Sequence, residues 1–242
     1  MSRTTLRVVL APVGAVDARR LLVEAARLAR ALDADLDAVF VEEAALLRVV
    51  ALPISVEVGL VSGAARPMDA AATRRLLARS AERSRALVAQ AAADLGLTWS
   101  FAVRRGDLLR EALDAAAAAP VLLGPLRTPV QHVVGGRPTG RGAPTVAVLS
   151  ESPSEPGESA RVRSSAQPAP TASERRAPEE RAWAAAVRFA GDRPDALARV
   201  SLEGLAARPA PRVLVVSLAS VASPGVLERV LATARCPVVL VA

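Results

Sequence analysis

Leu6-Arg7-Val8-Val9-Leu10-Ala11-Pro12 opens the stretch that decides the fold, residues 6–43. The run is short, mostly apolar and β-branched at its centre, as a strand buried on both faces should be. Gly14 permits a tight loop, and Asp17 has the short side chain that accepts hydrogen bonds from the free amides of a helix start. Leu21, Ala25, Leu28 and Leu32 then recur at helical spacing with Arg20, Glu24, Arg27 and Arg30 around them, an amphipathic helix of about four turns. Asp33 and Asp35 end it, and residues 36–41 return to a strand before Glu42-Glu43. Strand, helix and strand in that order imply parallel pairing with a right-handed crossover.

The same alternation continues. Residues 44–50 read as a short helix stopped by Pro53, and residues 54–61 alternate weakly before Gly63 and Pro67. Together, 44–67 read as an excursion over the sheet whose apolar side chains cap the core, with a cleft or a partner surface as the other use. Asp69 opens the longest helix, 70–95, with Leu77, Ser84, Val88, Ala91 and Leu95 inward and Arg75, Arg79 and Arg83 in an outward row. Gly96 stops it. Residues 99–103 form a third strand, Asp107 caps a helix running to 118, and residues 121–123 form a fourth strand ending at Gly124. The pattern implies an α/β fold with a doubly wound, mostly parallel, five-stranded sheet.

Residues 125–144 crowd Pro and Gly together, residues 145–149 make the fifth strand, and residues 151–180, rich in Ser, Pro, Glu and Ala, read as a disordered linker. The expected organisation is an α/β domain over 1–150, that linker, and an abbreviated second α/β unit over 181–242. In the second unit Trp183-x-x-x-Val187-Arg188, then Gly191-Asp192, echoes Trp99-x-x-x-Val103-Arg104, then Gly106-Asp107. A helix over 194–207, a strand at 213–216, a helix over 223–235 and a strand at 237–241 complete it.

With 242 residues, 52% of them hydrophobic, the chain can bury one large core or two modest ones. Its formal net charge is +7, and every basic residue is arginine, since no lysine occurs. The segment 151–180 holds four Arg against six Glu, so the basic excess belongs to the structured parts. Such a surface could attract nucleic acid or anionic lipid. Because arginines and acids interleave along the chain and aromatic residues make up only 2% of it, the expectation is a solvated surface of mixed sign, with nucleic-acid binding through the arginine rows on 70–95 as the weaker alternative. No uncharged apolar run approaches the ~20 residues that span a bilayer. Residues 1–16 loosely imitate a signal peptide, but Pro12 and Gly14 break the apolar stretch, and a cytoplasmic protein with no membrane partner is expected.

The lone cysteine, Cys236, precedes an apolar strand and reads as a small buried hydrophobe. His132 is the one histidine, in a loop and without a Gly-x-Ser-x-Gly elbow, so no catalytic residue is assigned. One His and one Cys do not make the usual metal sets. The stretch Gly135-Gly136-Arg137-Pro138-Thr139-Gly140-Arg141-Gly142 offers two guanidiniums and several free amides to an anion, though no helix begins directly after it.

Val8-Val9-Leu10-Ala11-Pro12-Val13 with the following helix and strand resembles the opening of a universal stress protein domain. Leu227-Glu228-Arg229-Val230-Leu231 with Cys236-Pro237-Val238-Val239-Leu240-Val241 is similar to that family's last helix and strand. The resemblance covers most of 1–150 and 181–242. It implies a doubly wound five-stranded sheet, ligands beyond the carboxyl ends of its strands, and often a dimer through the last strand. Members that bind ATP carry an acidic residue after the first strand and, after the fourth, a Gly, two residues, a Gly, nine residues, then Gly with Ser or Thr. Here Gly14 stands in place of the acid, Gly124 matches the first glycine, Arg127 replaces the second, and Arg137-Pro138 falls where the last pair would be. In the second half Ser217 and Ser220 occupy the first two glycine positions. The implied function is a non-enzymatic stress-type protein acting through protein contacts, with no cofactor. The alternative is a divergent nucleotide sensor holding ATP with Gly124, Gly135, Gly136, Arg137, Gly140 and Arg141. The implied partner is a protein, with residues 145–149 and 237–241 pairing either within one chain or between two copies.

Overall fold

A computed structural model describes residues 4–12, 15–59, 62–125, 146–149, 172–191, 197–207, 211–221 and 223–242. Its contacts divide the chain into two compact units, residues 1–115 with 122–124, and residues 116–121 with 125–242.

In the first unit, strand β1 (Thr4–Leu10) pairs in parallel with β2 (Ala34–Glu43), and helix α1 (Ala15–Ala31) connects them. Val8, Val9 and Leu10 are buried in succession, so both faces of the sheet are covered at that end. Toward the core α1 turns Leu21, Leu22, Ala25, Leu28 and Ala29. It closes on Asp33, whose φ of +50° lies in the left-handed region that short acidic side chains tolerate.

Helix α2 (Ala44–Val50) and a hairpin of β3 (Val56–Val58) with β4 (Ala65–Pro67) make up the excursion. Helix α3 (Ala70–Ala93) starts where the Asp69 carboxylate accepts hydrogen bonds from the amides of Ala71 at 2.8 Å and Ala72 at 3.0 Å. Those bonds favour the ionised form and hold the Asp69 carboxyl below its ordinary range. Gly96, at φ +63°, ends the helix as the Leu97 amide donates to the Ala92 carbonyl at 2.9 Å. Leu77, Ser84, Val88 and Ala91 face inward as their spacing predicts; Leu95, past the last turn, is exposed instead. Strand β5 (Trp99–Gly106) pairs in parallel with β2, helix α4 (Leu108–Ala116) follows, and β6 (Val121–Leu123) returns beside β1, giving the order β5-β2-β1-β6.

The second unit contains β7 (Val146–Leu149), α5 (Ala172–Ala190), β8 (Leu197–Val200), α6 (Leu202–Ala207), β9 (Val213–Ser217), α7 (Pro224–Thr233) and β10 (Val238–Val241). Its strand order is β10-β9-β7-β8, with parallel pairing throughout. Every residue of β7, β9 and β10 is buried. The α/β class and the parallel sheet are therefore as the sequence implies.

Several details differ from the sequence reading. The strand at 145–149 forms, yet its neighbours are β8 and β9, so it completes the second unit rather than a domain ending at 150. The expected intrachain pairing of 145–149 with 237–241 does not form, because β9 lies between them. The Trp99 and Trp183 echo is not a structural repeat: Trp99 lies on β5, whereas Trp183 lies on α5, as does the end of the expected linker, residues 172–180. Residues 181–186 read Arg-Ala-Trp-Ala-Ala-Ala, and alanine favours helix, with Ala182 and Ala186 burying one turn apart. Likewise the expected helix over 194–207 is a strand, β8, followed by the short α6, whose Gly204 amide donates to Ser201 Oγ at 3.1 Å. The linker residues up to 171 lie outside the described ones.

Candidate functional site

In a doubly wound sheet the ligand position lies beyond the carboxyl ends of the strands, where successive connections part to either side. In the first unit that point falls between β1 and β6, since the chain runs outward to β2 and β5 and then returns to the other side of β1. Gly124 sits at the end of β6. Its backbone is not in the left-handed region, and a Cβ there would stand 3.4 Å from Leu21 Cδ2 of α1, an ordinary contact with the end of a flexible side chain. Gly135, Gly136, Arg137, Gly140 and Arg141, with His132, lie outside the described residues.

The neighbouring strand ends are filled by the chain's own carboxylates. Glu43 Oε1 accepts the Leu108 amide at 3.0 Å and Asp107 Oδ1 accepts the Arg110 amide at 2.8 Å, so the first turn of α4 is capped twice. Arg104 pairs with Glu111 at 2.8 Å and Arg105 with Glu42 at 3.4 Å. A phosphate at this helix start would meet carboxylates in place of free amides. The acidic pair at the end of β2 is legible in the sequence, but its capping role depends on β5 bringing Leu108 alongside Glu43.

At the corresponding point of the second unit, between β7 and β9, Ser217 is buried and its Oγ accepts the Ala219 amide at 3.3 Å. One of the two serines that replace glycine thus spends its hydroxyl on the local turn. Helix α7 is started by the Ser223 carbonyl, which accepts from Val226 and Leu227 at 3.1 Å each. Cys236 is buried beside this sheet, and burial pushes its thiol up to about 12, leaving it protonated and unreactive at neutral pH. Among the described residues no group of three or more His, Cys, Asp and Glu is placed to hold a metal ion, and no helix is long and apolar enough to cross a membrane.

Two surfaces of the first unit stand out from these filled ends. In the excursion, Val49, Leu52, Val56 and Val58 are each at least half exposed and Ile54 is 85% exposed. Among the described residues of the segment, Val50 at the end of α2 is buried against the core and Leu47 is half-buried, while Leu46 and the five side chains just named face solvent. The segment is nevertheless shaped: Ser55 Oγ donates to the Val49 carbonyl at 2.5 Å, the Met68 amide donates to the Ser55 carbonyl at 2.9 Å, and Arg66 pairs with Glu57 across the hairpin.

The second surface is the layer formed by α1 and α3, which pack against each other. Helix α1 exposes Arg19, Arg20, Arg27 and Arg30; helix α3 exposes Arg74, Arg75, Arg79, Arg83 and Arg85. The sequence of the two helices sets three acids, Asp17, Glu24 and Glu82, against those nine. Arg27 pairs with Glu24 at 3.0 Å and Arg75 with Asp69 at 3.6 Å, while Arg83 donates to the Arg79 carbonyl at 3.2 Å. Helical periodicity brings the arginines to the outer side, where the exposed Glu82 stands among those of α3.

No family model matches the chain, and no curated protein matches it. Among solved structures the chain is similar to a universal stress protein from Archaeoglobus fulgidus, at 10% identity over 97% of each chain, with a TM-score of 0.45.

Proposed function

We propose that the chain is a universal-stress-protein-like binding protein that works without catalysis, by contact of the 44–67 excursion with another protein. The observation that carries this reading is Ile54, 85% exposed in the hydrogen-bonded turn that leads into the hairpin and flanked by the exposed Leu52, Val56 and Val58. An aliphatic group of that size contributes nothing to the fold while it faces water, and contributes about 2 kcal/mol when a partner covers it. The carboxylates on α4 and the lost glycines of the phosphate motif support the same reading, since both take away positions where a nucleotide would be held.

The test places a photo-crosslinking residue at position 54 of the full chain, in the cells that make it. The expected result is a discrete adduct with one protein, whose purified form binds the wild type and loses affinity about 30-fold on Ile54→Asp. A chain that instead binds ATP at micromolar concentration, and loses it on Arg137→Ala with Arg141→Ala, is the nucleotide sensor and not the contact protein proposed here.

A further inference from the structure

We propose that the α1 and α3 layer is a docking surface for the phosphate backbone of double-stranded nucleic acid, engaged without regard to base sequence. All nine arginines of the layer are exposed. Among the described residues, seven of them, Arg19, Arg20, Arg30, Arg74, Arg79, Arg83 and Arg85, have no carboxylate partner, and Arg83 donates to the Arg79 carbonyl. A guanidinium presents several donors in a fixed plane and stays charged at any physiological pH, so unpaired rows of them suit phosphate oxygens.

The geometry narrows the polyanion. Arg75, Arg79 and Arg83 recur every four residues, about 6 Å apart along the axis, and Arg74 with Arg85 lines one flank three turns apart. A 24-residue α3 is about 36 Å long, close to one turn of a duplex. Neither helix carries an aromatic residue, so there is no platform on which unstacked bases could lie, and a duplex with its bases already stacked is the better fit. A bilayer fits less well, because the layer's exposed aliphatics, Val23 and Leu76, sit on different helices and offer no continuous wedge to insert. This surface is separate from the excursion, and the proposal stands whether or not the excursion binds a protein.

The experiment titrates the full chain into a fluorescein-labelled DNA duplex of about two turns, into its single strand, and into phosphatidylserine-containing vesicles, from about 50 to 200 mM salt. With about five phosphates neutralised, duplex affinity falls roughly 500-fold across that range. Arg79→Glu flattens the salt slope by about one, while Arg110→Glu, the same charge change on α4, leaves the slope in place. Unchanged circular dichroism of each variant shows that folding is intact. Four results would overturn the proposal: no duplex binding at low salt, equal losses in the α3 and α4 variants, tighter binding of the single strand, or sedimentation with vesicles in place of the duplex.

Discussion

Arginines on the strands of the first unit and arginines on its outer helices meet opposite fates. Arg7, Arg104 and Arg105, on β1 and β5, each have a carboxylate within 2.7 to 3.4 Å. On α1 and α3, two of nine have one. The strand arginines lie in register with acids that the neighbouring strand or the next helix must bring: Arg7 opposite Asp37, Arg105 opposite Glu42. Their pairing is thus a consequence of the fold. The helix arginines and the aliphatics of the excursion are outside that accounting, and their exposure serves the fold in no evident way. The difference separates what folds the unit from what it presents.

The largest expected effect comes from crossing that division with apolar residues. Phe40 is fully buried on β2 and Ile54 is 85% exposed. Phe40→Ala should cost about 3–5 kcal/mol in urea unfolding, through lost burial and the cavity left behind. Ile54→Ala should stay within about 0.5 kcal/mol. Comparable losses would mean that the excursion is part of the core after all.

Next in size is the response to alkali. The Cys236 thiol is pushed up to about 12 by burial, from 9.0 in the free residue. The folded chain therefore keeps a proton that the unfolded chain releases above about pH 9, and stability present below that pH is lost as pH rises toward 12. The slope is up to about 1.4 kcal/mol per pH unit. With no lysine and no tyrosine in the sequence, few other side chains titrate there. Urea midpoints at pH 9, 10 and 11 should decline in the wild type and flatten in Cys236→Ala; parallel declines would remove burial of the thiol as the cause.

How much of this was legible depends on the range of the interaction involved. Strands β1, β2, β9 and β10, the Asp69 cap and the Gly96 stop are written in local pattern, and each is where the sequence puts it. The partner of 146–149 is not, because Val-Ala-Val-Leu has the same texture as any buried parallel strand and nothing in it selects β8 and β9 over β6. Trp183 misled because a shared tryptophan spacing says less than the alanines around it, which decide for helix. At the candidate site, Gly124 was legible as the end of the fourth strand and Asp107 as a cap of α4, whereas the second cap, Glu43, was not, since Glu43 and Leu108 are separated by all of α2, α3 and β5. The row of Arg75, Arg79 and Arg83 was legible from its four-residue spacing, but that Arg19, Arg20, Arg27 and Arg30 join it was not, since only the packing of α1 on α3 sorts both helices onto one surface.

The smallest effect tests that sorting most directly. Asp37 accepts Arg7 Nε at 2.7 Å and Ser100 Oγ at 2.5 Å, joining three strands in register, and both charged side chains are partly shielded from solvent. Asp37→Ala should cost about 1 kcal/mol, the low end reflecting screening at a site still reached by water. Arg79→Ala, by contrast, removes one member of the row Arg75, Arg79 and Arg83, in which like charges four residues apart repel. Its change should lie within about 0.5 kcal/mol and lean toward stabilisation. Added salt then acts in opposite directions: it weakens the attraction that Asp37 makes and relieves the repulsion around Arg79, so the difference between the two variants narrows as ionic strength rises. Thermal melts in low and high salt would show that convergence. A gap that stays constant would mean that the strand pair and the helix row are screened alike, and that the helix arginines carry no accumulated field for a phosphate backbone to relieve.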